Sequence, residues 1–157
     1  MEKQINQTEE TRLLVELGNQ LRDAGFHSGN SCIITIGPEW SSIVGQYLRH
    51  RLGGNGKICD GFSVDIPEGI WDERYQYGLQ QAFTGAMPIL RMKTPILVKS
   101  HVLHGENYRR ITEWMRKYLA FDKKIITLAL YENLESGFKS DFVGEYYGDE
   151  ELKFWWQ

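Results

Sequence analysis

Short apolar runs alternate along this chain with longer stretches whose apolar residues recur at helical spacing. Residues 8–24 place Leu13, Leu14, Leu17 and Leu21 on one face, with Gly25 just past the end, and predict a helix. Asn6 and Glu9 form a candidate capping box ahead of it. Cys32-Ile-Ile-Thr-Ile-Gly37 predicts a buried strand, and Pro38 to Trp40 turn the chain. Ser41 or Ser42 then caps a helix carrying Ile43, Val44, Tyr47, Leu48 and Leu52, which Gly53-Gly54-Asn55-Gly56 ends. Lys57 to Val64 predicts the next strand, so the order is strand, helix, strand.

From Asp65 to Arg91 the pattern is weaker. Asp72-Glu-Arg-Tyr opens a short helix with Tyr75, Leu79, Ala82 and Phe83 facing inward, while Gly69, Gly78 and Gly85 argue against a long one. This stretch reads either as a lid or as an irregular connection. Pro95 is followed by Ile96, Leu97 and Val98, a strand buried on both faces. A polar bend with Gly105 leads into a helix bearing Tyr108, Ile111, Met115, Tyr118 and Leu119. Ile125-Ile-Thr-Leu-Ala-Leu130 is a further buried strand, and the tail is aromatic and acidic, with Phe142, Tyr146, Tyr147, Phe154, Trp155 and Trp156. The expectation is an α/β fold in one domain spanning residues 1–157. Strands near 32–37, 95–99 and 125–131 lie parallel in one sheet, with helices near 41–53 and 106–119 against it.

Composition narrows the function classes. A net charge of −3 over 157 residues gives no general attraction to nucleic acid or anionic membrane. No apolar run has the length of a membrane span, and the N-terminus lacks the hydrophobic stretch of a signal peptide. Cys32 and Cys59 are too few for a disulfide scaffold, so a reduced, cytoplasmic setting is expected. A homo-oligomer is compatible with all of this.

The chemistry concentrates in the loop after the 95–98 strand, which offers Lys99, Ser100, His101, His104, Gly105, Glu106 and Asn107. Loops at the carboxyl ends of parallel strands are where ligands sit, and the N-terminus of the following helix offers N–H groups to an anion. His101, His104 and Glu106 carry metal-ligating groups, but the pattern is weak and two surface histidines in a loop are the favoured account. Arg109, Arg110, Arg116, Lys117, Lys123 and Lys124 read as a solvated basic face balanced by Glu113 and Asp122.

Gly137-Phe-Lys-Ser-Asp-Phe-Val-Gly144, followed by Asp149, resembles the purine-binding segment of the hypoxanthine-guanine phosphoribosyltransferases. The closing Leu152-Lys-Phe-Trp-Trp156 resembles the aromatic ending of related purine enzymes. Thr35-Ile-Gly-Pro-Glu-Trp40 falls where that family has its pyrophosphate loop, and residues 96–131 follow its signature strand, loop, helix and strand. The resemblance implies a type I phosphoribosyltransferase-like sheet flanked by helices, with a small C-terminal aromatic hood. It also implies that Phe142 stacks on a purine and Val143 offers backbone bonds to its edge. Gly37, Pro38, Glu39 and Trp40 would form the pyrophosphate loop, and His104, Gly105, Glu106 and Asn107 the phosphate loop. Asp149 would help to hold magnesium, the cofactor of an active member.

The signature itself departs from the family. Its two adjacent acids read Lys99-Ser100, its catalytic Asp reads Leu103, and its Thr-Gly-x-Thr reads His104-Gly105-Glu106-Asn107. The expectation is a catalytically degenerate domain, a pseudoenzyme, that binds a nucleotide-like ligand or a protein partner. The alternative is an active purine phosphoribosyltransferase with an altered site.

Overall fold

The computed structural model describes residues 1–37, 39–66 and 71–155, and the backbone but not the side chains of Glu39 and Trp40. Among the described residues, seven strands and four helices follow in chain order: β1 (Glu2–Ile5), α1 (Gln7–Asp23), β2 (Ser31–Ile36), α2 (Glu39–Leu52), β3 (Asp60–Val64), α3 (Glu73–Leu90), β4 (Thr94–Val102), α4 (Glu106–Tyr118), β5 (Ile126–Asn133), β6 (Phe142–Tyr147) and β7 (Glu151–Phe154). Five strands form one sheet in the order β3-β2-β4-β5-β6, every neighbouring pair parallel. The α/β expectation holds, with the three anticipated strands side by side.

Alternation along the central strands divides the core in two. Ile33, Ile96, Val98, Leu128 and Leu130 face a cluster completed by Leu13, Leu17 and Leu21 of α1 and Val44 and Leu48 of α2. Cys32, Ile34, Ile36, Leu97 and Ala129 face Leu79 and Phe83 of α3 and Tyr108, Ile111 and Met115 of α4. Helix α2 lies close to the sheet because Gly45 has no side chain; a Cβ there would overlap the Thr35 hydroxyl.

Three local readings need correction. Helix α2 starts at Glu39, so Ser41 is inside it rather than its cap. Strand β3 starts at Asp60 rather than Lys57, whose backbone is spent on an isolated bridge to Gly54. Residues 73–90 form one long helix, not a short one. Asp72 caps it by accepting from the backbone N–H groups of Arg74 and Tyr75 at 3.0 and 3.3 Å. Gly78 and Gly85 face open space, so they weaken the helix only by intrinsic propensity. The buried face, Leu79, Phe83, Ala86 and Leu90, supplies the packing that overrides them.

The hood is built from both ends of the chain. β7 pairs in parallel with β1, from Glu2 opposite Glu151 to Ile5 opposite Phe154. Ion pairs reinforce the edge: Lys153 with Glu2 at 2.6 Å, and Lys3 with Glu145 and, at 3.8 Å, Glu9. The indole N–H of Trp155 donates to Glu10 of α1 at 2.6 Å, tying the end of the hood to that helix. Trp156 lies outside the described residues.

Glu10 is only 6 % exposed, and its desolvation raises the carboxyl above the usual value of 4.5, the Trp155 bond pulling the other way. A carboxyl with a raised folded-state pKa binds its proton more tightly in the native protein. Its contribution to stability is therefore complete below pH 4.5 and is lost as pH rises through the raised value. Glu10→Gln keeps an acceptor for Trp155 without the buried charge. Its melting temperature should exceed that of the parent at neutral pH and fall back to parity near about pH 4. Thermal melts across that range test this, and an unchanged difference at both ends would refute it.

Candidate functional site

The connection leaving β2 runs through α2 on one face of the sheet, whereas the connection leaving β4 runs through α4 on the other. β2 and β4 are neighbours, so their carboxyl ends flank the crevice where ligands bind in open α/β sheets. Gly37 ends β2 with φ of +102°, a left-handed conformation suited to glycine, and its N–H bonds the Val64 carbonyl at 3.0 Å.

Two side chains reach this glycine, and a third residue bonds one of them. The Ser41 hydroxyl, on the first turns of α2, accepts from the Ser100 backbone N–H at 3.1 Å and lies 3.2 Å from the Ser100 hydroxyl. On the other face, Lys99 extends from β4 until its Cε lies 3.8 Å from where a Gly37 Cβ would stand, the same distance as the Ser41 hydroxyl. Lys99 is 5 % exposed, Ser100 7 % and Ser41 1 %. Lys99 and Ser41 thus both approach one side-chain-free position, and Ser100 is bonded to Ser41. Those groups suit an anion that brings its own acceptor oxygens.

Asn107 closes the crevice on the α4 side. Its Nδ2 donates to the Ile66 carbonyl beyond β3 at 3.2 Å, reaching across the end of β2, and its Oδ1 is buried without a hydrogen-bond partner. Gly105 is the left-handed N-cap of α4, with φ of +68°. Phe138 lies directly against it, where a Gly105 Cβ would overlap the Phe138 Cβ and Cγ. The ring also packs on Tyr108 at 5.4 Å between centroids and lies 5.7 Å beneath the Arg109 guanidinium. Glu106 is paired with Arg110 at 2.5 Å, and His104 is exposed in the turn.

The other anticipated residues lie elsewhere. Phe142 opens β6 level with Leu128, in the α1-side core, edge-on to Phe26 at 6.0 Å. The structure thus brings Phe138, not Phe142, to Gly105. Val143 pairs with Ala129 in the middle of β5. Asp149 is exposed in the turn between β6 and β7. Pro38 lies outside the described residues, as do the side chains of Glu39 and Trp40. His101 and His104 do not converge: His101 bonds the Tyr147 hydroxyl and packs against Phe154 at 5.9 Å, under the hood. Among the described residues no three His, Cys, Asp or Glu side chains gather as a metal site. Phe138 escaped the sequence reading because nothing in the spacing shows that the β5–β6 crossover passes over the α4 face.

The described donors do not fit magnesium pyrophosphate. Lys99, Ser41 and Ser100 offer an ammonium and two hydroxyls, not the carboxylate oxygens that magnesium takes.

No family model matches the chain, and no curated protein matches it. Solved structures do. A purine phosphoribosyltransferase from Pyrococcus horikoshii Ot3 superposes with a TM-score of 0.66 at 16% identity, covering 99% of this chain and 94% of that one. A hypothetical protein from Neisseria gonorrhoeae with bound ppGpp gives 0.67 at 16% identity, covering 99% and 90%. The xanthine-guanine-hypoxanthine phosphoribosyltransferase of Helicobacter pylori gives 0.58 at 13%, covering 98% and 93%. The protein therefore has the type I phosphoribosyltransferase fold. Among the described residues no helix is long and apolar enough to cross a membrane.

Proposed function

We propose that this domain keeps the crevice of the phosphoribosyltransferase fold and uses it to hold a phosphate-bearing nucleotide, without transferring a phosphoribosyl group. The single observation that carries the reading is Lys99, a buried lysine beside Gly37, Ser41 and Ser100 at the point where the strand order reverses. A fixed ammonium in a site of low dielectric attracts a phosphate strongly and repels a divalent cation. Leu103 cannot move a proton, and the carboxylates that would orient a sugar through magnesium are replaced. The nucleotide is suggested by the similar structures, two of them purine phosphoribosyltransferases and one a protein with bound ppGpp.

The test is calorimetric titration of GMP and of ppGpp, each with and without magnesium. Saturable binding that does not require magnesium is expected. Lys99→Met keeps the buried stem and removes the charge, and should weaken binding by about a hundredfold. Binding that appears only with magnesium, or that survives Lys99→Met, would sink the reading. In parallel, phosphoribosyl pyrophosphate with each purine base should give no nucleotide. Turnover there would instead establish the active enzyme.

A further inference from the structure

Outside the crevice, a trench runs along the seam of α3 and α4. One part has a volume of about 440 Å³, and a second of about 280 Å³ shares Gln76, Trp114 and Tyr118 with it, so the two are continuous. Its walls are aromatic: Trp114 and Tyr118 stand 6.1 Å apart with their planes 33° from parallel, and Tyr77 adds a further ring. Tyr77 and Tyr118 are 65% and 62% exposed, unusual for large rings facing one groove.

The chemistry is concentrated at one end. Arg110 lines the smaller cavity with its guanidinium 5.9 Å from the centre of the Trp71 ring. Its Nη2 is held by Glu106 at 2.5 Å, while Nη1 is buried with no hydrogen-bond partner. Nη1 itself has no open surface, but the Arg110 side chain as a whole is 30% exposed and lines the cavity together with Lys117, so a carboxylate in the trench meets two cations. Guanidinium forks suit a carboxylate above other acceptors. Glu73 and Glu113 on the rim oppose a second negative charge, and the flat walls select a planar body.

We propose that this trench binds a small planar aromatic molecule carrying a single carboxylate, its acid group on Arg110 and its ring between the α3 and α4 aromatics. The site is separate from the nucleotide crevice, and its test contains no nucleotide. Naphthalene-2-carboxylate and the uncharged naphthalene-2-carboxamide are each titrated into isotope-labelled protein and followed by NMR. Saturable shifts at trench residues are expected, the acid binding about tenfold more tightly than the amide. Arg110→Gln should remove most of the acid's advantage over the amide, and Tyr118→Ala should weaken both alike. If Arg110→Gln does not fold, Arg110→Lys, which keeps the charge and loses the fork, should lower the acid's advantage severalfold. Equal binding of acid and amide, or no saturation below about 5 mM, would overturn the proposal. So would trench shifts that follow protein concentration instead of ligand, which would assign the surface to a second copy of the chain.

Discussion

Replacing Gly105 with alanine is expected to destabilise the protein by about 3 kcal/mol, lowering the melting temperature by about 6–12 °C. Two separate causes act at this position. A φ of +68° strains any residue with a β-carbon, and the added methyl would overlap Phe138. They can be told apart. Asn tolerates the left-handed conformation better than Ala, so a loss with Gly105→Asn as large as with Gly105→Ala would identify the overlap as dominant. Pairing Gly105→Ala with Phe138→Ala removes the obstacle. The double variant should then lose less than the sum of the singles, by about 1 kcal/mol or more. A melting temperature for Gly105→Ala within about 1 °C of the parent would show that the loop and the crossover yield without resistance.

Glu132→Ala should be nearly as damaging, at about 2–4 kcal/mol. The Glu132 side chain is fully buried and accepts from the Ser140 backbone N–H at 3.1 and 3.3 Å and from the Ser140 hydroxyl. Both Ser140 donors would be stranded in the interior by its removal. Glu132→Gln retains an acceptor and should lose only about 1 kcal/mol. The effect is also local. Glu132 ties down the β5–β6 crossover that carries Phe138 onto Gly105, so amide exchange at residues 138–141 should accelerate more than in the α1-side core. Uniform acceleration across both regions would mean that Glu132 supports the whole fold and not the crossover.

The sheet was legible because its central strands are near-continuous apolar runs, interrupted only by Thr35 and Thr127, which residues 32–36, 96–98 and 126–130 could satisfy only when buried on both faces. The Asn6 cap was equally plain, and its side chain does accept from the Glu9 N–H at 2.8 Å. Helix α3 was underestimated because composition counts its glycines, whereas packing asks only where they point. The pairing of β1 with β7 left no trace in four-residue segments whose partners lie at opposite ends of the chain. At the crevice, Lys99 and Ser100 could be singled out because they replace the signature's acids, Gly105 because it survives there, and Gly37 because it falls at the pyrophosphate loop. The part of Ser41 could not, since a hydroxyl near a helix start looks like a cap until its distance to Ser100 is known. Nor could a single sequence rank Phe138 against Phe142, four residues apart in one aromatic motif and on opposite faces of the sheet.

The parallel register of β1 and β7 has a mechanical consequence. Because both strands run in the same direction, tension applied at the entry to β1 and the exit from β7 slides one along the other. The four residue pairs from Glu2–Glu151 to Ile5–Phe154 are then loaded together in shear, where an antiparallel hairpin would be peeled open one pair at a time. Ile5, Leu152 and Phe154 anchor the same strands in the core, so slippage must also drag apolar side chains through packed surroundings. The small hood is thus a clasp that resists stretching of the chain by its ends, while the five-stranded sheet behind it is shielded from the load.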